Sequence, residues 1–242
     1  MTNGVVLWSG ISLIDNRTPV VLIGTGFTRD SANRKTGPMI QTWILRADVS
    51  PVETVAERAD AGICGGCPHR KQVDGSRTCY VNVGQAPRAI WAAWRNGDLD
   101  VATDLSALGD GLVIRLGAYG DPAAVPTEVW DALLSRSAGH TGYTHQWKSA
   151  RLRGVTRHVQ ASCDSEEDAR QAVALGLGYF RVKTVDAPML PGETYCPADA
   201  HPGSVTCRDC LACSGNGARI VIDVHGSGAK HFAKRSALPV LA

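Results

Sequence analysis

Residues 111–147 read GLVIRLGAYGDPAAVPTEVWDALLSRSAGHTGYTHQW, and the alternation inside this stretch decides the fold. GLVIRLGAYG is a short apolar run of the kind that forms a strand buried on both faces. PTEVWDALLSRSA then places Val129, Leu133 and Leu134 on one side at helical spacing. TGYTHQW reads as a second short strand ending in polar residues. Strand, helix and strand in that order imply a crossover connection and parallel pairing.

The same rhythm continues in both directions. Downstream, RHVQASC reads as a strand. Ser165-Glu166-Glu167-Asp168 is an S-x-x-D start for a helix reaching Leu175, with Gly176 at its end. YFRVKTV and RIVIDVHG follow as strands. Upstream, IQTWILRADV reads as a strand and residues 28–37, TRDSANRKTG, as a polar loop. APRAIWAAWRNG is a helix stopped at Gly97. GVVLWSGISLI and PVVLIGTGF flank Asp15-Asn16-Arg17, which predicts an N-terminal β-hairpin within residues 1–30. The expectation is one α/β domain over residues 1–242, a partial or complete (β/α) barrel with two cysteine-rich metal-binding loops. An open α/β sheet is the alternative. Residues 226–242 form a basic tail with Lys230, His231, Lys234 and Arg235, either a flexible arm or a last short helix.

Composition narrows the function classes. The hydrophobic fraction of 44% over 242 residues is enough for a core without staples. A net charge of +2 gives no global field to recruit nucleic acid or an anionic membrane. No window approaches the ~18–20 apolar residues of a membrane span, and the first residues lack a signal-peptide pattern. The expected location is cytoplasmic, where thiols stay reduced.

The eight cysteines are clustered. Cys64 and Cys67 form a C-x-x-C with Cys79 beyond it. Cys207, Cys210 and Cys213 form C-x-x-C-x-x-C, with Cys196-Pro197 ahead, and only Cys163 stands alone. Three cysteines at successive three-residue spacings wrap one small volume. A distant Cys-Pro completes such a loop around a 4Fe-4S iron–sulfur cluster, and four thiolates equally suit a closed zinc. The first group offers three thiolates. That leaves one position open on an iron–sulfur cluster, or calls for His69 or a water on zinc. Both loops serving one shared site is a further arrangement, and a redox-cycling C-x-x-C at Cys64 and Cys67 another.

Polar residues gather at the predicted carboxyl ends of strands, where α/β folds bind ligands. Tyr119, Gly120 and Asp121 follow one strand, and His145 and Gln146 the next. Asp164 and His225 follow two more. Asp121, His145, Gln146, Asp164 and His225 are the candidate catalytic groups; Tyr119 and Gly120 are placed to line a cofactor. Each has a plainer role as turn, cap or hydrogen-bonded residue. Lys148, Arg151, Arg153, Arg157 and His158 make a basic stretch that suits either a solvated loop or a phosphate grip.

The segments SANRKTGPMIQTWILR, CGGCPHR, TCYVNVGQAPRAIW, LGAYGDPAAVP, TGYTHQW and TCRDCLAC together resemble a functionally uncharacterised family of cysteine-rich proteins of phage and bacterial genomes, over about residues 33 to 225. Three cysteines after a first barrel strand, with Tyr80 next to Cys79 and a four-Cys group further on, more weakly resemble radical S-adenosylmethionine enzymes. The usual C-x-x-x-C-x-x-C is replaced here by C-x-x-C and a cysteine twelve residues on. That resemblance implies S-adenosylmethionine as a cofactor and Tyr80 as a cofactor contact. Two readings follow: an iron–sulfur enzyme acting on a small molecule, nucleotide or nucleic acid, or a zinc-stabilised nucleic-acid-binding protein.

Overall fold

A computed structural model describes residues 1–226 and 228–236. Ten strands form one sheet: β1 (Gly4–Ile11), β2 (Pro19–Thr25), β3 (Ile40–Arg46), β4 (Asp100–Val101), β5 (Val113–Tyr119), β6 (Gly139–Thr144), β7 (Gln160–Cys163), β8 (Tyr179–Lys183), β9 (Thr194–Tyr195) and β10 (Arg219–Asp223). The helices are α1 (Pro51–Ala56), α2 (Ala61–Cys64), α3 (Ala86–Arg95), α4 (Leu105–Gly109), α5 (Thr127–Leu134), α6 (Glu166–Ala174), α7 (Pro197–Ala200), α8 (Cys207–Cys210) and α9 (Ala229–Ser236).

The strand order is β4-β1-β2-β3-β5-β6-β7-β8-β10-β9. β1 pairs antiparallel with β2, from Gly4 opposite Thr25 to Ile11 opposite Pro19, and β2 pairs antiparallel with β3. From β3 to β10 every neighbouring pair is parallel. These six strands lie side by side in chain order, so all their carboxyl ends share one edge. The two-residue strands β4 and β9 carry too little periodicity to be read from sequence.

Alternation along β5 divides the molecule. Ile114 and Leu116 are fully buried and join a core with Leu22, Ile44, Trp130 and Leu133. Arg115 and Tyr119 point the other way, into a cavity. On α5 the buried positions are Trp130 and Leu133; Val129 and Leu134 only flank them, which shifts the expected apolar face by one residue. Ser165 caps α6 as its spacing predicts, its Oγ accepting from Asp168 N at 3.1 Å. The reciprocal half differs: the Asp168 carboxylate accepts from Asp164 N, at 3.2 Å. Among the described residues no helix is long and apolar enough to cross a membrane. The basic tail begins as a helix, α9, which carries Lys230 and His231. Residues 227 and 237–242 lie outside the described residues, as do the side chains of Lys234 and Arg235.

Candidate functional site

A cavity of about 400 Å³ opens on the sheet face opposite the core and runs up to the carboxyl ends of the parallel strands. That volume is typical of small-molecule sites. Arg115, Tyr119, Tyr143, Phe180, Val182 and Ile222 line its strand-borne wall. Cys64, Cys67 and Cys79 line it from the loop after β3, and Asp121, His145, Asp164 and His225 from the loops after β5, β6, β7 and β10.

The first cysteine loop is held by buried hydrogen bonds. Gln146 donates from Nε2 to Cys64 O at 3.1 Å and to Asp121 Oδ2 at 3.2 Å, and accepts from Gly66 N at 3.3 Å. Gly65 turns with φ of 54°, and a Cβ there would lie 2.2 Å from Gln146 Oε1, so only glycine fits. Arg70 donates to Asp60 Oδ1 at 2.7 Å and to Gly65 O at 3.0 Å, while Cys79 N donates to His69 O at 3.0 Å. Burial pushes the Cys64 thiol well above its ordinary pKa, and the neighbouring Cys67, Asp60 and Cys79 push it further. Burial raises Cys79 as well.

His69, Asp164 and His145 form an array beside this loop. His69 Nε2 lies 2.8 Å from Asp164 Oδ1, and His145 Nε2 lies 3.1 Å from Oδ2. Their ligand atoms all fall within 4.8 Å of one another, a spacing that could hold a metal ion. Burial alone would raise the Asp164 pKa. The hydrogen bonds and charges of His145 and His69 outweigh it and hold the carboxyl far below its usual range. Burial likewise opposes charge on His145, but Cys67 and Asp164 raise its pKa well above normal.

Cys196, Cys207, Cys210 and Cys213 surround a second, much smaller space of about 20 Å³. Cys196 N donates to Val221 O at 2.8 Å, and Gly142 N to Cys213 O at 2.9 Å, which pins the loop to β10 and β6. Cys207 N and Arg208 N donate to Lys35 O and Thr36 O, at 2.9 and 3.1 Å. Thr206 Oγ1 donates to Asp209 Oδ2 at 2.6 Å at the start of α8. Burial, with the charges of Cys196, Cys207 and Cys210, pushes the Cys213 thiol up to about 12, against a hydrogen bond from Tyr143. The thiols therefore separate into two sets, one around Cys64 and one around Cys213, with Cys207 facing both spaces.

Both sets fit a metal by donor chemistry, but their geometry differs. The second space, at about 20 Å³, is little more than the ~10–15 Å³ that one water-sized sphere occupies, so it suits a single ion. In neither set do three thiols come within 4.8 Å of one another. An ion in the second space would have to draw its thiols inward; a cluster, being larger, spans wider-set thiols. The first set opens on the 400 Å³ cavity.

Other expected site residues occupy varied places. Asp121 lines the cavity, yet its carboxylate already accepts from Thr144 Oγ1, His145 N and Ala123 N, at 2.7, 2.9 and 3.0 Å. Gln146 is buried behind the cysteine loop and acts as a clamp on it rather than as a cavity wall. Gly120 (φ 82°) lines the cavity and also presses on β3, where a Cβ would come 2.6 Å from Ile44 O. Tyr80 is exposed, and its hydroxyl accepts from Arg115 Nη2 at 2.7 Å; its ring lies 6.2 Å from that of His225, which is also exposed. Cys163 is fully buried, and burial raises its pKa. Sequence reasoning missed Arg115 and Arg77. A lone charge inside the apolar run LVIRLGAY was the available signal for Arg115.

The basic stretch is engaged within the chain. Lys148 pairs with Asp168, and Arg157 and His158 pair with Asp131. Arg151 donates to Leu13 O and Ile14 O, and Arg153 to Trp147 O and Lys148 O. No protein family, curated protein or solved structure matches this chain.

Proposed function

We propose that this chain is an iron–sulfur enzyme of partial (β/α) barrel form that acts on a small molecule in the 400 Å³ cavity. One observation carries the reading: three thiols from a single loop face the same cavity as the His69–Asp164–His145 array. Three protein ligands leave a coordination position for a non-protein group, which is the usual arrangement of a reactive metal. Six parallel strands in unbroken chain order support the barrel form.

A cluster bound by Cys64, Cys67 and Cys79 would supply electron transfer and one open iron. The chain's own residues do the rest. Gln146, Asp121 and Arg70 fix the loop that presents the thiols. The Asp164 carboxylate orients both imidazoles, so that His145 can hold or pass a proton at the cavity edge. The second cysteine set keeps a closed single metal ion, zinc by its four thiolates, that ties β6 to the loop before β10. S-adenosylmethionine or a nucleotide would have to use the same open position. A nucleic-acid track is the weaker fit, because the basic stretch is spent on the chain's own acceptors.

The test is anaerobic reconstitution followed by an absorbance spectrum, iron and zinc analysis, and the same measurements on Cys79→Ala. Broad absorbance near ~400 nm that falls in the variant, while its circular dichroism is retained, supports the reading. A colourless wild type that holds only zinc overturns it.

A further inference from the structure

The polar groups that line the large cavity do not balance. Each carboxylate there is already engaged: Asp60 with Arg70, Asp164 with two histidines, and Asp121 with a hydroxyl, two backbone amides and an amide side chain. Donors are left over. The Tyr119 hydroxyl is buried, with the residue 3% exposed, and has no hydrogen-bond partner among the described residues; Arg77 Nε is buried in the same state. Arg77 otherwise gives Nη1 to the carbonyls of Cys79 and Val81. Neither Arg77 nor Arg115 forms an ion pair among the described residues.

Arg115 is the decisive group. It stands in the middle of β5, on the cavity wall shared with Tyr143, Phe180, Val182 and Ile222. Its one hydrogen bond goes to a neutral phenol, Tyr80, at 2.7 Å. Arg115 is half-buried, and its guanidinium carries five donors, most of them without a partner among the described residues. Its planar fork matches a carboxylate or a phosphate in two parallel hydrogen bonds.

We propose that the cavity binds its small molecule through an oxyanion, a carboxylate or phosphate group seated on Arg115, with Tyr119 and Arg77 as the remaining donors toward the ligand and cofactor side. The inference rests on the reading of this cavity as the substrate site. It does not depend on which metal the cysteines hold. Electrostatics would draw anionic molecules in and leave neutral or cationic ones without a partner for Arg115.

Calorimetric titration of the metal-loaded protein at low ionic strength tests it, with inorganic phosphate in one arm and succinate in the other. The wild type binds at least one probe, one per chain, and the arm that binds separates phosphate esters from carboxylic acids. Arg115→Met weakens that binding roughly tenfold or more, and Arg115→Lys, which keeps charge but loses the fork, weakens it less. Phenylglyoxal labelling of the wild type, read by peptide mapping, covers the case in which Arg115→Met does not fold: the bound probe should protect Arg115. Absence of binding in both arms, undiminished binding by a folded Arg115→Met, or absence of protection overturns the proposal. Arg115 also neighbours Cys207, and a role confined to balancing that thiolate predicts metal loss in Arg115→Met with no anion binding in the wild type. Iron is counted on the same samples, so a protein that binds the anion yet holds no iron sinks the cluster reading alone.

Discussion

His69 and Asp164 lie on different loops of the cavity rim, and a contact of 2.8 Å between Nε2 and Oδ1 joins them. The bond ties the first cysteine loop to the end of β7, because His69 is two residues from Cys67 and its carbonyl accepts from Cys79 N. Asp164→Asn should therefore weaken metal binding at the first set about 10–100-fold, as losses of groups that orient metal ligands commonly do. The second set should keep its metal. Separate counting of the two sites, by spectroscopy on Asp164→Asn combined with Cys79→Ala, checks this; equal loss at both would show a general structural effect.

The two cysteine sets should respond differently to loss of one thiol. Cys79→Ala removes a ligand from an open cavity and should abolish activity and cluster absorbance with little change in stability. On the proposed reading, Cys213→Ala removes one from a closed site that crosslinks β6 to the loop before β10, and should cost about 3 kcal/mol or more. Thermal melts of the two variants, side by side, decide it.

Gly65→Ala places a methyl group into Gln146 at a backbone angle of 54° that alanine disfavours. Destabilisation of about 1–3 kcal/mol is expected, along with displacement of the C-x-x-C loop. Denaturant melts give the first quantity and metal content the second. An unchanged metal count would mean that the loop tolerates the shift.

Arg181 and Glu193 form a buried pair at 2.6 Å, with side chains 2% and 0% exposed. Burial alone would raise the Glu193 pKa; the hydrogen bonds and charge of Arg181, with Leu190 N, lower it instead. A depressed carboxylate contributes stability that is present above its unfolded pKa of about 4.3 and is lost as pH falls through the folded value. Glu193→Gln should cost about 3–5 kcal/mol at pH 7, since it strands the buried guanidinium. The gap from wild type should narrow below about pH 4, where Glu193 itself becomes protonated. Urea melts at both pH values measure it.

Strands β5 and β10 were legible because each is a mostly apolar run of five to seven residues bounded by turn chemistry, VIRLGAY and RIVID. The cysteine spacings divided the thiols into the two groups that line different spaces, since spacing along a loop limits which thiols can lie near one another. Long-range partners were not legible. Nothing local to His69 points to Asp164, and nothing local to Gln146 says that its amide clamps Cys64 rather than facing a ligand. Those roles come from the way the sheet stacks its strand ends, which sequence periodicity does not encode. Arg115 shows the converse: its anomaly is visible in the sequence, but its lack of a counter-charge appears only when the cavity is assembled.

The place of β10 between β8 and β9 has a consequence for biogenesis. β9 leads into Cys196 and pairs only with β10, although β10 is made later than every cysteine in the chain. During synthesis the second thiol loop thus emerges before the strand that anchors its first cysteine, and Cys196 stays unlatched until β10 slots into the gap. Cys207 and Cys213 find their partners on Lys35 and β6, which are made earlier. On the proposed reading, metal insertion at that loop is timed to the completion of the sheet, and its thiols must stay reduced and unclaimed during the interval.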